Sequence, residues 1–223
     1  MTAKVYPAGY LWRHYWNVFA TLTPNGTPQD ANCAIALAFG RNTIPDRQLP
    51  TVRRNRDNII HKKFMDEIAI RQLEHQGFDP GGANRHIADV VYMNIHEHHL
   101  TVAAQWEVVA AVFLGFGRKW TAWALNNQKL FCLWPRPGKT AYRSHEVLDD
   151  ALSFLPPQNF IHPLLIAHDL HMPRVYMLAA KRWRGPVVGY QTITRAFDKQ
   201  SVHKQATRPS RWYPREELGR IHH

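Results

Sequence analysis

Cysteine is scarce in this chain of 223 residues, which contains only Cys33 and Cys132. Neither belongs to a CxxC pair, so the sequence predicts neither a disulfide framework nor a zinc knuckle. This usage is typical of a protein in a reducing or organellar compartment, and no secretory leader pattern is visible.

Acidic residues are also few. The chain has 17 Asp and Glu against 28 Lys and Arg, which gives a formal net charge of +11. Lys and Arg make up an ordinary share of the chain, so the basicity comes from missing acids. A protein that coats phosphates usually carries added Arg and Lys in runs. The charge therefore suits an acidic protein or an anionic lipid surface as well as RNA.

The first acidic residue is Asp30. An N-terminus without acids is one feature of a mitochondrial targeting segment. We therefore expect a mitochondrial protein, with the cytoplasm as the alternative.

Long hydrophobic runs are missing. The most apolar run, VVAAVFLGFG at 108–117, is ten residues long, whereas a membrane-spanning helix needs about 20. The sequence predicts no transmembrane span, and this run predicts a buried helix.

Complete catalytic motifs are missing too. RPGKT ends like a phosphate-binding loop, but Leu133 stands where that loop needs its first glycine. The GFG at 115–117 lacks a third glycine, since Trp120 occupies that position. Ser144 and Ser153 have no G-x-S-x-G context. The sequence therefore predicts a protein that is not an enzyme and holds no cofactor.

Histidine, by contrast, is abundant, with 14 residues. In IHEHHL the zinc motif H-E-x-x-H fails by one position, because Leu100 replaces its second histidine. Two pairs spaced i, i+3 remain, and on packed helices they would form a tetrahedral metal site. The candidate ligands are His96, His99, His168 and His171. Structural or surface roles are the commoner use of such histidines, and a small metalloenzyme is the alternative.

Apolar periodicity predicts a mainly α fold: a small helical core with extended N- and C-terminal arms and at most one short β-hairpin. The predicted helices cover 57–77, 87–113, 144–155 and a segment from His162 that breaks at Pro173. The division is an aromatic and basic arm over 1–56, a helical core over 57–184, and a basic tail over 185–223.

The two arms mix aromatic rings with arginines, which are typical anchors of protein interfaces. Polar arms of this length cannot offset an ordering cost of about 1–2 kcal/mol per residue from their own contacts. We therefore expect partner chains to supply the contacts. The predicted partner-binding residues are Trp12, Arg13, Trp16, Arg53, Arg54, Arg56, Arg208, Arg211, Trp212, Tyr213 and Arg215.

The resulting functional hypothesis is a non-catalytic structural subunit of a large multi-protein assembly, such as a mitochondrial respiratory or ATP-synthase complex. Its partners would be other protein subunits and anionic lipid headgroups. An RNA-contacting ribosomal subunit is the second hypothesis, and strong salt dependence of RNA binding would distinguish it. A basic adaptor for acidic proteins and the histidine metalloenzyme are further alternatives.

Overall fold

The described residues form one parallel β-sheet with helices on both faces. The computed structural model describes residues 28–41, 66, 68–72, 74–75, 77–135, 142–155, 162–183, 189–193, 199–201 and 206. The strands are β1 (Cys33–Ala36), β2 (Thr101–Gln105), β3 (Leu130–Leu133), β4 (Pro163–His168) and β5 (Gly189–Ile193). Their order across the sheet is β3-β2-β1-β4-β5, and every neighbouring pair is parallel.

β1 is the central strand. Cys33 pairs with Thr101 of β2 on one side and with Pro163 of β4 on the other. The residues of β1, β3 and β4 are all buried. Short apolar runs such as CAIA and PLLIAH fit strands that are covered on both faces, as parallel strands usually are.

Among the described residues, a helix follows each of the first four strands. These helices are α1 (Gly82–His96), α2 (Trp106–Asn126), α3 (Ser144–Ala151) and α4 (Met172–Arg182). A 3₁₀ turn at Pro28–Asp30 precedes β1, and residues 68–72 are also helical.

The helices form two layers. Ala34 and Ala36 of β1 pack with α1 and α2, whereas Cys33 and Ile35 pack with α3 and α4. This alternation follows from the two-residue period of a strand, which sends successive side chains to opposite faces. The architecture is therefore a doubly wound α/β sheet.

The predicted fold class is wrong. The chain is not mainly α with one hairpin, because all five strands are parallel and helices connect them. Two strands lie in segments predicted as arm and tail: β1 within 1–56 and β5 within 185–223. The error arose because a buried run of four to six apolar residues does not reveal whether it is strand or helix.

The predicted long helix over 87–113 is divided in two by β2. After α1 the chain turns at His99, which has φ 54°, and the Leu100 N–H donates to the Asn94 carbonyl at 3.1 Å. The predicted helix from His162 is also wrong, because Pro163 begins β4. Pro173 lies in the first turn of α4, where its missing N–H costs no helical hydrogen bond. Of the apolar run 108–117, residues 108–116 are helical as predicted and 108–113 are buried, but Gly117 has non-helical backbone angles.

Candidate functional site

The strand order points to one edge of the sheet. From β1 the chain passes to β2, its neighbour on one side, and then to β3. Only afterwards does it reach β4, the neighbour of β1 on the other side. The carboxyl ends of β1 and β4 thus meet where the winding changes direction. In open parallel sheets ligands bind beyond the carboxyl ends of the strands at such a point.

Three polar side chains meet beside this point. Ser144 Oγ lies 2.9 Å from His171 Nε2. The Arg174 Nη2 lies 2.9 Å from the same nitrogen and 3.2 Å from Ser144 Oγ. We call Ser144, His171 and Arg174 the polar triad.

The fold brings the polar triad together from two helix starts. Ser144 is the first residue of α3, and His171 directly precedes α4, in which Arg174 occupies the first turn. Helix N-termini carry partial positive charge from their unpaired N–H groups. The triad therefore combines a guanidinium, a hydroxyl and an imidazole at the positive ends of two helices.

His171 is held in its neutral form. Burial, the Arg174 guanidinium and His168 together lower the pKa of His171 well below its usual range. A guanidinium can only donate hydrogen bonds, so Nε2 of His171 accepts from Arg174. The single proton of the neutral ring then lies on Nδ1.

His168 ties the end of β4 to the end of β1. Its buried ring stacks on Phe39 with centroids 3.8 Å apart and an interplanar angle of 11°. Its Nδ1 lies 2.8 Å from Asp169 Oδ1. This packing fixes the loop that carries His171.

A second polar group lies at the ends of β1 and β2. Arg41 Nη1 lies 3.3 Å from Glu107 Oε1, and both side chains are buried. The Arg41 guanidinium also lies 5.3 Å from the centre of the Trp106 ring. Burial raises the pKa of Glu107 to about 7 and outweighs the attraction of Arg41.

Buried amides hold the loop after β1 in place. Gln105 Oε1 accepts the Ala38 N–H at 3.1 Å, and Asn84 Oδ1 accepts the Phe39 N–H at 2.8 Å. Asn84 Nδ2 donates to the carbonyls of Gly40 and Pro80. The start of α1 is thereby fastened to the end of β1.

The four candidate metal ligands are not brought together. His168 and His171 lie at the carboxyl edge, whereas His96 and His99 precede β2 and lie at the opposite, amino edge. Within the described residues, no group of three or more His, Cys, Asp or Glu side chains could hold a metal ion. The i, i+3 spacing suggested that each pair shares one helix face. In the sheet, however, β1 lies between β2, which follows His96 and His99, and β4, which ends at His168.

The structure also bears on the cysteines and the arms. Cys33 and Cys132 are buried and do not form a disulfide, and burial raises the pKa of Cys33 to about 12, which makes its thiol inert at neutral pH. All eleven predicted partner-binding residues, from Trp12 to Arg215, lie outside the described residues.

The sequence reasoning missed most of the carboxyl-edge residues. From the sequence, Ser144 was expected to begin a helix and to lack the context of a nucleophile, and it is the first residue of α3. A usable signal was present, because polar residues follow three short apolar runs directly: Arg41 after CAIALAFG, Gln105 after TVAA and His168 after PLLIA. Recognising these runs as parallel strands would have placed the polar residues at one edge.

No family model, no curated protein and no solved structure matches this chain. Of the helices that the structure describes, none combines the length and the apolar character that crossing a bilayer requires.

Proposed function

We propose that the protein binds a small molecule bearing a phosphate group at the carboxyl edge of its sheet. The observation that carries this proposal is the polar triad, in which Arg174 Nη2 lies within 2.9 and 3.2 Å of its two partners. A planar guanidinium donor suits phosphate oxygens, and two helix starts add partial positive charge.

The contacts within the triad support binding rather than catalysis. A hydroxyl next to a neutral imidazole is the arrangement that activates a serine nucleophile. Here Arg174 donates to the Nε2 lone pair that would otherwise accept the Ser144 proton. The lone pair on His171 Nε2 is thus occupied by the hydrogen bond from Arg174. The prediction of a non-enzymatic protein is compatible with this arrangement.

An incoming phosphate would change the charge of His171. Its pKa is low because burial and the neighbouring Arg174 disfavour the imidazolium. A phosphate placed between these groups would favour the charged ring and raise that pKa. Binding at neutral pH should therefore take up a proton, which calorimetry in buffers of different ionisation enthalpy measures.

The experiment adds inorganic phosphate to the full-length protein at increasing concentration and constant ionic strength. The thermal unfolding temperature is measured at each phosphate concentration. A ligand that binds only the folded protein raises its stability in a saturable manner. Arg174→Gln should abolish the saturable effect. Arg182→Gln is the matched control, because Arg182 lies at the far end of α4 and pairs with Asp149 at 2.6 Å. Equal phosphate responses in both variants would exclude the site.

A structural role in a multi-protein assembly, with mitochondrial location, remains a second proposal. Its support is the net charge of +11 together with the composition of the terminal segments. Limited proteolysis of the isolated chain tests it: the terminal segments before residue 28 and after residue 206 should be cut rapidly. Resistance of both segments in the isolated protein would remove the main support.

A further inference from the structure

The C-terminal segment, by which we mean residues 199–201 and 206, returns to the loop after β1. Ser201 Oγ donates to the Arg41 carbonyl at 3.1 Å and accepts the Arg41 N–H at 3.3 Å. Ala206 is 2% exposed, and a Cβ on Gly40 would lie 2.7 Å from its own Cβ. Since Ser201 is 160 residues from Arg41 in the chain, this contact is a product of the fold.

The loop after β1 is held as one unit. Asn84 Oδ1 accepts the Phe39 N–H at 2.8 Å, and Asn84 Nδ2 donates to the Gly40 carbonyl at 2.6 Å. The Arg41 side chain pairs with Glu107 at 3.3 Å. Because one asparagine holds both Phe39 and Gly40 in a closely packed interior, a displacement at Gly40 and Arg41 is transmitted to Phe39.

Phe39 connects this loop to the polar triad through His168. The two buried rings stack with centroids 3.8 Å apart. The His168 carbonyl accepts the His171 N–H at 2.9 Å, and His168 also contributes to the low pKa of His171. A continuous series of contacts therefore joins the C-terminal segment to the triad.

The C-terminal segment has the properties of an element that docks and undocks. Lys199 and Gln200 are exposed, whereas Ser201 and Ala206 are buried. Segments held by few buried contacts open locally at a lower free energy than global unfolding requires. An element with two discrete states is what energetic coupling between distant sites needs.

We infer, on the basis of the phosphate site proposed above, that docking of the C-terminal segment strengthens phosphate binding at the polar triad. The docked segment fixes Gly40 and Arg41, so that Phe39 holds His168 and the loop carrying His171 in place. Undocking loosens this loop, and a site that is competent for only part of the time binds its ligand more weakly. By linkage, bound phosphate favours the docked segment by the same factor.

The first test measures this reciprocity through tryptic cleavage after Lys199 in the full-length protein. Inorganic phosphate, at a concentration that saturates the thermal stabilisation, should slow the cleavage about fivefold or more, which is the usual size of such coupling. Arg174→Gln removes the guanidinium of the triad and should show no slowing, so it controls for effects of phosphate on trypsin. Equal cleavage rates of the wild type with and without bound phosphate would overturn the inference.

The second test undocks the segment by substitution. Ala206→Lys places a long charged side chain at a buried position, which opposes docking. Phosphate affinity should fall about fivefold, although the added positive charge by itself would favour phosphate. Gln200→Lys is the matched control, since it adds the same charge at an exposed position of the same segment. Equal phosphate affinities in the two variants would contradict the inference. Circular dichroism of each variant establishes that it is folded.

A third measurement needs no phosphate and separates this inference from the proposed ligand. In phosphate-free protein, NMR titration should show a higher pKa of His171 in Ala206→Lys than in Gln200→Lys, because a loosened site readmits water. The added charge alone would lower that pKa. If the wild type shows no saturable phosphate effect, a raised His171 pKa rejects the phosphate ligand but retains the coupling, and an unchanged one rejects both.

Discussion

Glu107 illustrates how burial and charge compete at a single residue. Its carboxylate lies 3.3 Å from Arg41, a contact that would normally hold a carboxyl group ionised. Removal from water nevertheless raises the pKa of Glu107 from 4.5 to about 7. Near neutral pH the neutral and ionised forms of Glu107 therefore coexist, and the ion pair with Arg41 is formed only in part.

This raised pKa predicts a pH dependence of stability. Between pH 4.5 and about 7 the folded protein keeps a proton on Glu107 that the unfolded chain has lost. The free energy of unfolding should therefore fall as the pH rises through this window, by roughly 3 kcal/mol from this residue. Glu107→Gln cannot titrate, so this contribution should vanish from its urea unfolding curves. Identical pH slopes for wild type and variant would contradict the assignment.

At the residue scale, helical spacing was a poor guide to what the candidate histidines contact. The i, i+3 spacing placed His168 and His171 on one face of a helix, as metal ligands. They lie instead at the end of β4 and just before α4, where His171 meets Ser144. Ser144 is 27 residues away in the chain, so only the topology of the sheet reveals this contact.

At the scale of elements, α2 contains a break. Gly117 has φ 82° and ψ 164°, which divides the helix into a buried first part and a second part carrying Trp120 and Trp123. Residues other than glycine rarely adopt this conformation.

Two glycines in α2 should respond oppositely to the same substitution. Gly117→Ala should destabilise the protein by about 1–3 kcal/mol, because its backbone conformation strains an alanine. Gly115→Ala should stabilise it by about 0.5–1 kcal/mol, because this helical glycine has no positive φ and open space around its missing Cβ. Urea unfolding of the two variants measures both values. Stabilisation of the protein by both substitutions would show that the break at Gly117 does not persist in solution.

The elements differ in how far the sequence could predict them. α3 was correctly predicted to start near Ser144, because its amphipathic pattern spans the whole helix. β1 and β4 could not be predicted from their own pattern, because all of their residues are buried and they lack the polar alternation of a half-exposed strand. Their pairing partners are more than sixty residues apart in β1 and β2.

At the scale of the whole molecule, the C-terminal part of the chain closes on the loop after β1. Ser201 Oγ donates to the Arg41 carbonyl at 3.1 Å and accepts the Arg41 N–H at 3.3 Å. Ala206 packs at Gly40. At these two residues of the predicted tail, the chain itself supplies the contacts that the arm hypothesis assigned to partners.

This closure gives a prediction based on two glycines with the same backbone conformation. Gly40 has φ +71° and Gly77 has φ +66°, so alanine at either position meets similar strain, about 1–2 kcal/mol. A Cβ on Gly40 would also lie 2.7 Å from Ala206 Cβ and 2.8 Å from Ser201 Oγ, whereas nothing lies within 4 Å of one on Gly77. Gly40→Ala should therefore displace the segment around Ser201 and speed tryptic cleavage after Lys199, while Gly77→Ala should leave the cleavage rate unchanged. Since strain is common to both variants, equal cleavage rates would mean that the C-terminal segment does not hold the carboxyl edge.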